Sequence, residues 1–291
     1  MIRVHAKINL GLTVFSPDVD GYHPLRGLFQ TVSIADDVSV VESDEDEIAV
    51  RGVAAPTDPT NLAWRAVQEM RTASGNGAAL RLDIDKRIPM ASGMGGASAD
   101  AAGALIAASR LLGVPFEEVR GAAPRLGSDV PFALVGGTAI VAGKGELVSP
   151  RPHAGGYGLA IVVPPVELVT ADVYRRWDVL DGPSGPVIPG HQLPPSLRVY
   201  APLANDLYPA AVSVAPVVDE WRTELAARWG VSVAMTGSGA GLFGLFPTAA
   251  EAADAVTEVP PGARFAEAAA PVDRGWEDVG EGADDDASDR P

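Results

Sequence analysis

The sequence contains no cysteine among its 291 residues. Disulfide bonds and thiolate metal sites are therefore excluded, and with them the small folds that depend on such cross-links. Histidine is scarce as well, since the four histidines show no spacing typical of metal ligands. These absences predict a protein that has no metal site of its own and is compatible with a reducing compartment.

Positive charge is in short supply. The chain has 22 lysine and arginine residues against 38 aspartate and glutamate residues, which gives a formal net charge of −16 at pH 7. A strongly acidic protein is poorly suited to nucleic acid or to an anionic membrane surface. The composition predicts neither partner, and an anionic ligand must be held locally by loops and a few cations.

Long apolar runs are missing too. No stretch approaches the roughly 20 apolar residues that a membrane-spanning helix needs, and the stretch that begins Met1-Ile2-Arg3 lacks the apolar core of a signal peptide and the pattern of a transit peptide. These features predict a cytoplasmic protein.

Length and composition divide the chain into parts. A passage rich in proline and glycine over residues 149–158 precedes a new apolar strand, which predicts a seam between two domains. We expect an N-terminal domain over residues 1–150 and a C-terminal domain over residues 151–272. Residues 273–291 are acidic, with Trp276 as their single aromatic residue, and predict a disordered tail.

A glycine-rich stretch connects a strand pattern over residues 79–86 to a helical pattern over residues 98–112. Its glycines at 93, 95 and 96 permit close approach of the backbone to a ligand, and the first N–H groups of a helix attract phosphate. The same pattern occurs where a helix only packs closely on a sheet. Local spacing therefore leaves both interpretations open.

The residues from Val4 to Phe15 alternate as in a β-strand. Lys7 and Asn9 fall on one face of this strand and Ile8 falls on the other. The two polar side chains either face solvent on an edge strand or contact one ligand together, and periodicity alone favours solvent.

Several motifs together resemble one superfamily. Residues 89–101 fit the pattern P-x-x-x-G-x-G-G-x-S-x-x-A, which resembles the phosphate loop of the GHMP kinases, a superfamily that includes galactokinase, homoserine kinase and mevalonate kinase. The runs A-K-I-N-L from Ala6 and D-G-Y-H-x-L from Asp20 resemble a branch that phosphorylates a cytidine diphosphate-linked methylerythritol in isoprenoid precursor synthesis. Motifs at residues 126–132, 205–207 and 235–240 follow in the family's order.

This resemblance implies an α+β fold of two domains with the active site in the cleft between them. It implies an ATP-dependent small-molecule kinase in which Lys7 stabilises charge at the transferred group and Asp129 accepts the proton of the acceptor hydroxyl. Read from its neighbours alone, Asp129 is also a plausible helix cap. The alternatives are another GHMP kinase, such as homoserine kinase, and a non-catalytic nucleotide-binding regulator.

The resemblance also implies two sets of binding residues. The positions expected to contact ATP are Lys86, Pro89, Ser92, Gly93, Met94, Gly95, Gly96, Ala97 and Ser98. The positions expected to contact the substrate are Asn9, Tyr22, His23, Thr170, Tyr174, Gly237, Ser238 and Gly239. Among these, Tyr22 and Tyr174 are expected to stack on the cytosine and His23 to lie at its edge, although Tyr174 also fits a core tyrosine.

Two departures from the superfamily pattern concern magnesium. Ala97 and Ala99 flank Ser98 where many members have adjacent serines, and no glutamate is evident as a protein ligand for the metal. We therefore expect Mg²⁺ to arrive with ATP and to contact the protein only through Ser98 or water. The expected partner is a small molecule, and the expected assembly is a monomer or a homodimer.

Overall fold

The computed structural model describes residues 1–280. Its eleven strands are β1 (Ile2–Val14), β2 (Leu25–Glu42), β3 (Glu47–Gly52), β4 (Leu80–Lys86), β5 (Thr138–Gly143), β6 (Leu147–Arg151), β7 (Gly158–Val163), β8 (Val233–Met235), β9 (Leu242–Phe246), β10 (Phe265–Ala269) and β11 (Trp276–Asp278).

Within residues 1–280, eight α-helices connect these strands. They are α1 (Leu62–Ser74), α2 (Gly96–Leu112), α3 (Phe116–Leu126), α4 (Val130–Val135), α5 (Thr170–Val179), α6 (Tyr208–Val214), α7 (Val217–Trp229) and α8 (Ala249–Thr257). Two 3₁₀ helices, Gly190–Gln192 and Pro195–Tyr200, follow α5. Within residues 1–280, none of the helices combines the length and the apolar character needed to cross a bilayer.

The strands form two sheets. The first has seven strands in the order β11-β1-β2-β4-β3, with β5 paired to β2 and β6 paired to β5. Strand β2 is long enough to pair with β5 over residues 25–30 and with β4 over residues 37–42. The second sheet has the order β10-β7-β9-β8. Strands packed with helices in this arrangement confirm the expected α+β fold class.

Strand β1 is an interior strand. It pairs with β2 along one side, and on the other side it meets β11, the loop before α2, and Asn205. Lys7 and Asn9 are therefore buried along with Ile8, which lies on the opposite face. The interpretation that these two polar residues face solvent on an edge strand is wrong, because residues distant in sequence cover that edge.

The chain passes from the first sheet to the second near the expected domain seam. Strand β6 ends at Arg151 in the first sheet, and β7 begins at Gly158 in the second. The domain limits at residues 150 and 272 stay predictions. The predicted disorder of residues 273–291 is wrong in part, because β11 lies within that range.

Residues 273–280 are ordered, contrary to the predicted disorder of 273–291. Strand β11 pairs antiparallel with β1, the backbone N–H of His5 donates to Gly275 O over 2.9 Å, and Trp276 Nε1 donates to Leu134 O over 3.1 Å. The Arg110 guanidinium lies 5.2 Å from the Trp276 ring centroid. Averaging charge over the whole tail concealed this short segment; residues 281–291 lie outside the described residues.

Removing β11 should measurably lower the melting temperature. We expect a chain that ends at Asp273 to melt several degrees below a chain that ends at Gly280, because it loses the three residue pairs between β1 and β11 and the half-buried Trp276. In a protein of this size, about 1 kcal/mol corresponds to roughly 2–4 °C. Differential scanning calorimetry of both chains measures the shift. Equal melting temperatures would contradict a stabilising role for β11.

Candidate active site

A cleft of about 810 Å³ lies where the two sheets meet. Its walls come from β1, the loop between β4 and α2, the start of α4, the first turns of α5 and the loop after β8. A cavity of this volume is in the range that binds a small molecule and a nucleotide.

The loop between β4 and α2 presents backbone N–H groups to this cleft. Gly95 precedes α2 in the left-handed region with φ 71°, and no side chain caps the helix. A side chain at Gly93 would be impossible, since its Cβ would lie 2.1 Å from Thr236 O. The first N–H groups of a helix have no intrahelical acceptor, and the macrodipole makes this end positive. The loop can therefore hold an anion such as a phosphate group.

A second glycine-rich loop, residues 236–241 between β8 and β9, packs directly on the loop between β4 and α2. Thr236 Oγ1 donates to Gly93 O over 3.1 Å, and the backbone N–H of Gly241 donates to Ser92 O over 3.0 Å. The hydroxyls of Thr170 and Ser238 lie 2.9 Å apart on the same side of the cleft. These contacts join both sheets into one ligand-facing surface.

Lys7 is buried at the bottom of the cleft with three oxygen atoms around its amino group. Nζ donates to Asn9 Oδ1 over 2.6 Å and to Gly93 O over 2.9 Å, and it lies 3.3 Å from Asp129 Oδ2. Thr236 holds Asn9 in turn, because its hydroxyl accepts the Asn9 N–H over 3.0 Å. The cation is thus fixed in position beside the phosphate loop.

Asp129 stands at the N-cap position of α4, yet its side chain makes no capping hydrogen bond. The capping interpretation is therefore not supported. The carboxylate faces Lys7 instead, and 27% of the side chain is exposed in the cleft. A carboxylate held next to a buried ammonium and open to a ligand can accept a proton from that ligand.

The loop between β1 and β2 places two aromatic residues at the mouth of the cleft. The Tyr22 hydroxyl lies 2.9 Å from Ser128 Oγ, and its ring remains half exposed. The His23 ring lies 5.2 Å from the Tyr174 ring, centroid to centroid. Burial, followed by the charge of Asp129, raises the pKa of Tyr174, so this residue stays a neutral aromatic wall.

All but one of the predicted binding and catalytic residues line the cleft. Those brought together are Lys7, Asn9, Tyr22, His23, Pro89, Ser92, Gly93, Met94, Gly95, Gly96, Ala97, Ser98, Asp129, Thr170, Tyr174, Gly237, Ser238 and Gly239. Their individual roles stay predictions.

Lys86 is the exception, and the prediction that it contacts ATP is wrong. Its amino group is fully buried between Asp36 Oδ2 at 2.7 Å and Asp100 Oδ2 at 2.6 Å. Burial alone would lower the pKa of Lys86, but the two carboxylates outweigh it and raise that pKa. Asp36 Oδ1 also accepts the backbone N–H of Ile88 over 2.8 Å. Lys86 therefore supports the phosphate loop from the core and does not reach a ligand.

Sequence reasoning missed several residues of the cleft. Ser128 and Asp178 contact the two aromatic residues of the β1–β2 loop, and Thr236 orients Asn9. Asp178 lies one helical turn after Tyr174, and this spacing places both side chains on one face of α5. That spacing was the signal available in the sequence.

The described residues do not provide a metal site. Within residues 1–280, no three histidine, aspartate or glutamate side chains are grouped closely enough to hold a metal ion.

Comparison with known proteins relates the chain to the GHMP kinases and to one kinase among them. Residues 61–137 match the model of the GHMP kinases N terminal domain. The 4-diphosphocytidyl-2-C-methyl-D-erythritol kinase of Cutibacterium acnes is 40% identical over 258 residues, which cover 82% of this chain and 83% of the relative.

Solved structures agree with this result. The crystal structure of a 4-(cytidine 5′-diphospho)-2C-methyl-D-erythritol kinase superposes with a TM-score of 0.74 at 32% identity, covering 93% of this chain and 99% of the other. Homoserine kinase from Cytophaga hutchinsonii superposes with a TM-score of 0.66 at 16% identity, over 95% and 96% of the two chains. At that identity the second likeness concerns the fold alone.

Proposed function

The chain belongs to the 4-diphosphocytidyl-2-C-methyl-D-erythritol kinases of the GHMP superfamily, and from this premise we propose how its cleft transfers the γ-phosphoryl group of ATP to the 2-hydroxyl of that substrate. The observation that carries the proposal is the placement of Lys7 and Asp129, 3.3 Å apart, beside the uncapped start of α2. Phosphoryl transfer requires little else from a protein than positioning and charge stabilisation.

Asp129 acts as the general base in this proposal. As the substrate oxygen forms its bond to the γ-phosphorus, the hydroxyl proton moves to the Asp129 carboxylate, and the bond between the γ-phosphorus and the bridging oxygen breaks to leave ADP. Lys7 lies next to the carboxylate and stabilises negative charge on the acceptor oxygen or the transferred group. Its hydrogen bonds to Asn9 and Gly93 hold the amino group in position beside the carboxylate.

The phosphate loop binds the ATP phosphates through the N–H groups at the start of α2. The Ser98 hydroxyl, in the first turn of that helix, is the protein group available to a magnesium ion that enters with ATP. Bound Mg²⁺ neutralises charge on the phosphates. In this proposal the reaction takes place in the cytoplasm. The chain acts as a monomer or a homodimer, because the proposed catalytic and binding residues all come from one chain.

The cytosine binds at the mouth of the cleft. Tyr22 and Tyr174 provide aromatic faces there, and His23 provides a polar group between the loop and α5. A flat pyrimidine can stack on such faces with little dependence on which base it is. Discrimination between bases must then come from hydrogen bonds to the edge of the ring.

Replacing Tyr22 should test the stacking role. We expect Tyr22→Ala to weaken the cytidyl substrate and its uridyl analogue by similar amounts, about 1–3 kcal/mol if the ring is a full stacking partner. Tyr22→Phe is the matched control, because it keeps the ring and removes only the hydroxyl that faces Ser128. Steady-state kcat/KM for both substrates gives the comparison, and a loss confined to one base would contradict stacking.

Turnover assays test the function as a whole. Purified protein is incubated with ATP and Mg²⁺ and one of three acceptors: the cytidyl substrate, homoserine or mevalonate. We expect ADP formation with the cytidyl substrate alone. Preferred turnover of homoserine would favour the alternative kinase, and nucleotide binding without any turnover would favour a regulator.

A further inference from the structure

The imidazole of His23 is oriented by one helix. Its Nε2 lies 2.7 Å from Asp178 Oδ1, and its ring packs at 5.2 Å from the Tyr174 centroid and edge-on at 5.6 Å from the Trp177 centroid. All three partners belong to α5, whereas His23 belongs to the β1–β2 loop. The ring is therefore held between two parts of the chain, with 11% of the side chain exposed.

The bond to Asp178 determines which nitrogen carries the proton. A carboxylate accepts hydrogen bonds and does not donate them, so the hydrogen between these atoms belongs to Nε2. In a neutral imidazole the other nitrogen, Nδ1, is then an acceptor. Within residues 1–280, the hydrogen bond to Asp178 is the one that the His23 side chain forms, and His23 lines the cleft, so Nδ1 is available to a ligand bound there.

Cytosine and uracil differ at position 4 of the ring. Cytosine carries an amino group there, which donates hydrogen bonds, whereas uracil carries a carbonyl oxygen, which accepts them. An acceptor at Nδ1 can therefore take a hydrogen bond from the amino group of cytosine. Opposite uracil, the same nitrogen faces a second acceptor, the carbonyl oxygen, and no hydrogen bond forms. A site whose buried polar group is mismatched rejects a ligand far more strongly than a site that only stacks on it.

We infer that Asp178 is a positioning residue for base selection: it keeps the proton of His23 on Nε2, so that Nδ1 accepts from the 4-amino group of the cytosine. This role rests on the proposed function. Asp178 is itself 43% exposed, and an exposed ion pair adds little to stability. Its effect therefore appears in the choice of base and not in the melting temperature.

The kinetic test compares two aspartates of the same region. Asp178→Asn keeps the shape of the side chain, but an amide can both donate and accept and no longer dictates the tautomer. We expect the ratio of kcat/KM for the cytidyl substrate over its uridyl analogue to fall about 3–10-fold, the worth of one neutral hydrogen bond. Asp181→Asn removes the same charge just after α5, on an exposed residue outside the cleft, and should leave the ratio unchanged.

A spectroscopic test needs no turnover. Long-range ¹H–¹⁵N correlation spectra report the tautomer of each of the four histidines, and a His23→Ala variant assigns the relevant signal. We expect His23 to carry its proton on Nε2 in the unmodified protein and to become a mixture of tautomers in Asp178→Asn. An Nδ1-protonated His23 in the unmodified protein would overturn the inference, even if the kinase activity is as proposed.

A double variant separates positioning from direct contact. In the His23→Ala background, Asp178→Asn should cause no further fall in the cytidyl-to-uridyl ratio, because Asp178 acts only through the imidazole. A further fall would mean that the carboxylate contacts the base itself, which would overturn the inference. Failure of the unmodified protein to phosphorylate the cytidyl substrate would instead count against the proposed function, and the tautomer measurement would still test the Asp178–His23 bond.

Discussion

Replacing Asp129 by asparagine lowers kcat by roughly 10²–10⁴-fold, the range typical of a positioned general base. The amide is close to the carboxylate in size but cannot take the proton of the substrate hydroxyl. Because Asp129 makes no capping bond to α4, and because Lys7 keeps its contacts to Asn9 and Gly93, the fold is expected to persist. Rapid-quench measurement of a single turnover gives the rate of the chemical step directly.

Two further measurements make this result specific. The KM for ATP should change little, since the phosphate loop and not Asp129 holds the nucleotide. Asp254→Asn, on the exposed surface of α8, removes the same charge far from the cleft and should leave kcat unchanged. If Asp129→Asn retained most of the wild-type rate, the proton would have to move to another acceptor.

Lys86→Met should destabilise the protein by about 3–5 kcal/mol, because it leaves buried carboxyl groups without their cation. The chain has three lysines, and Lys144 also lies near two aspartates, 2.9 Å from Asp18 Oδ2 and 3.4 Å from Asp20 Oδ2. That cluster is exposed to solvent, so Lys144→Met should destabilise the protein far less than Lys86→Met. Denaturant unfolding gives the free energy of unfolding of both variants, so that the same substitution is compared in the core and on the surface.

Asp100 is the third member of the buried cluster that Lys86 forms with Asp36, and its replacement should have a smaller effect on stability. Burial, opposed by the charge of Lys86, raises the pKa of Asp100 to about 8. Asp100→Asn leaves the ion pair between Lys86 and Asp36 in place and should therefore cost less stability than Lys86→Met. If Lys86→Met unfolded at the same denaturant concentration as wild type, the cluster would not support the phosphate loop.

The central part of the site could be predicted from local pattern. The strand before the glycine-rich loop and the helix after it follow from periodicity, and the observed helix begins at Gly96, two residues before the predicted start. Gly96 and Ala97 carry too little side chain to mark the boundary. Recognition of Tyr22, His23 and Asp129 depended on motifs that the chain shares with a family.

What local pattern did not reveal depends on distant contacts. Lys86 looks like a phosphate ligand by residue type, but its partner Asp36 lies 50 positions away and removes it from the cleft. The bond between His23 and Asp178 spans 155 positions. Strand β11 was hidden because the charges of the whole tail were averaged, although Trp276 is a large aromatic residue near the start of that tail.

The return of β11 to the first sheet has a consequence for biosynthesis. During translation β1 is synthesised before the other ten strands, but β11, which pairs with Ile2, Arg3 and Val4, is synthesised only after all four strands of the second sheet. Until then β1 presents unpaired backbone groups at one edge, the kind of edge that recruits other chains. The first sheet is therefore completed only after residues 276–278 have been synthesised, and a fragment cut at the seam near residue 150 would keep that edge open.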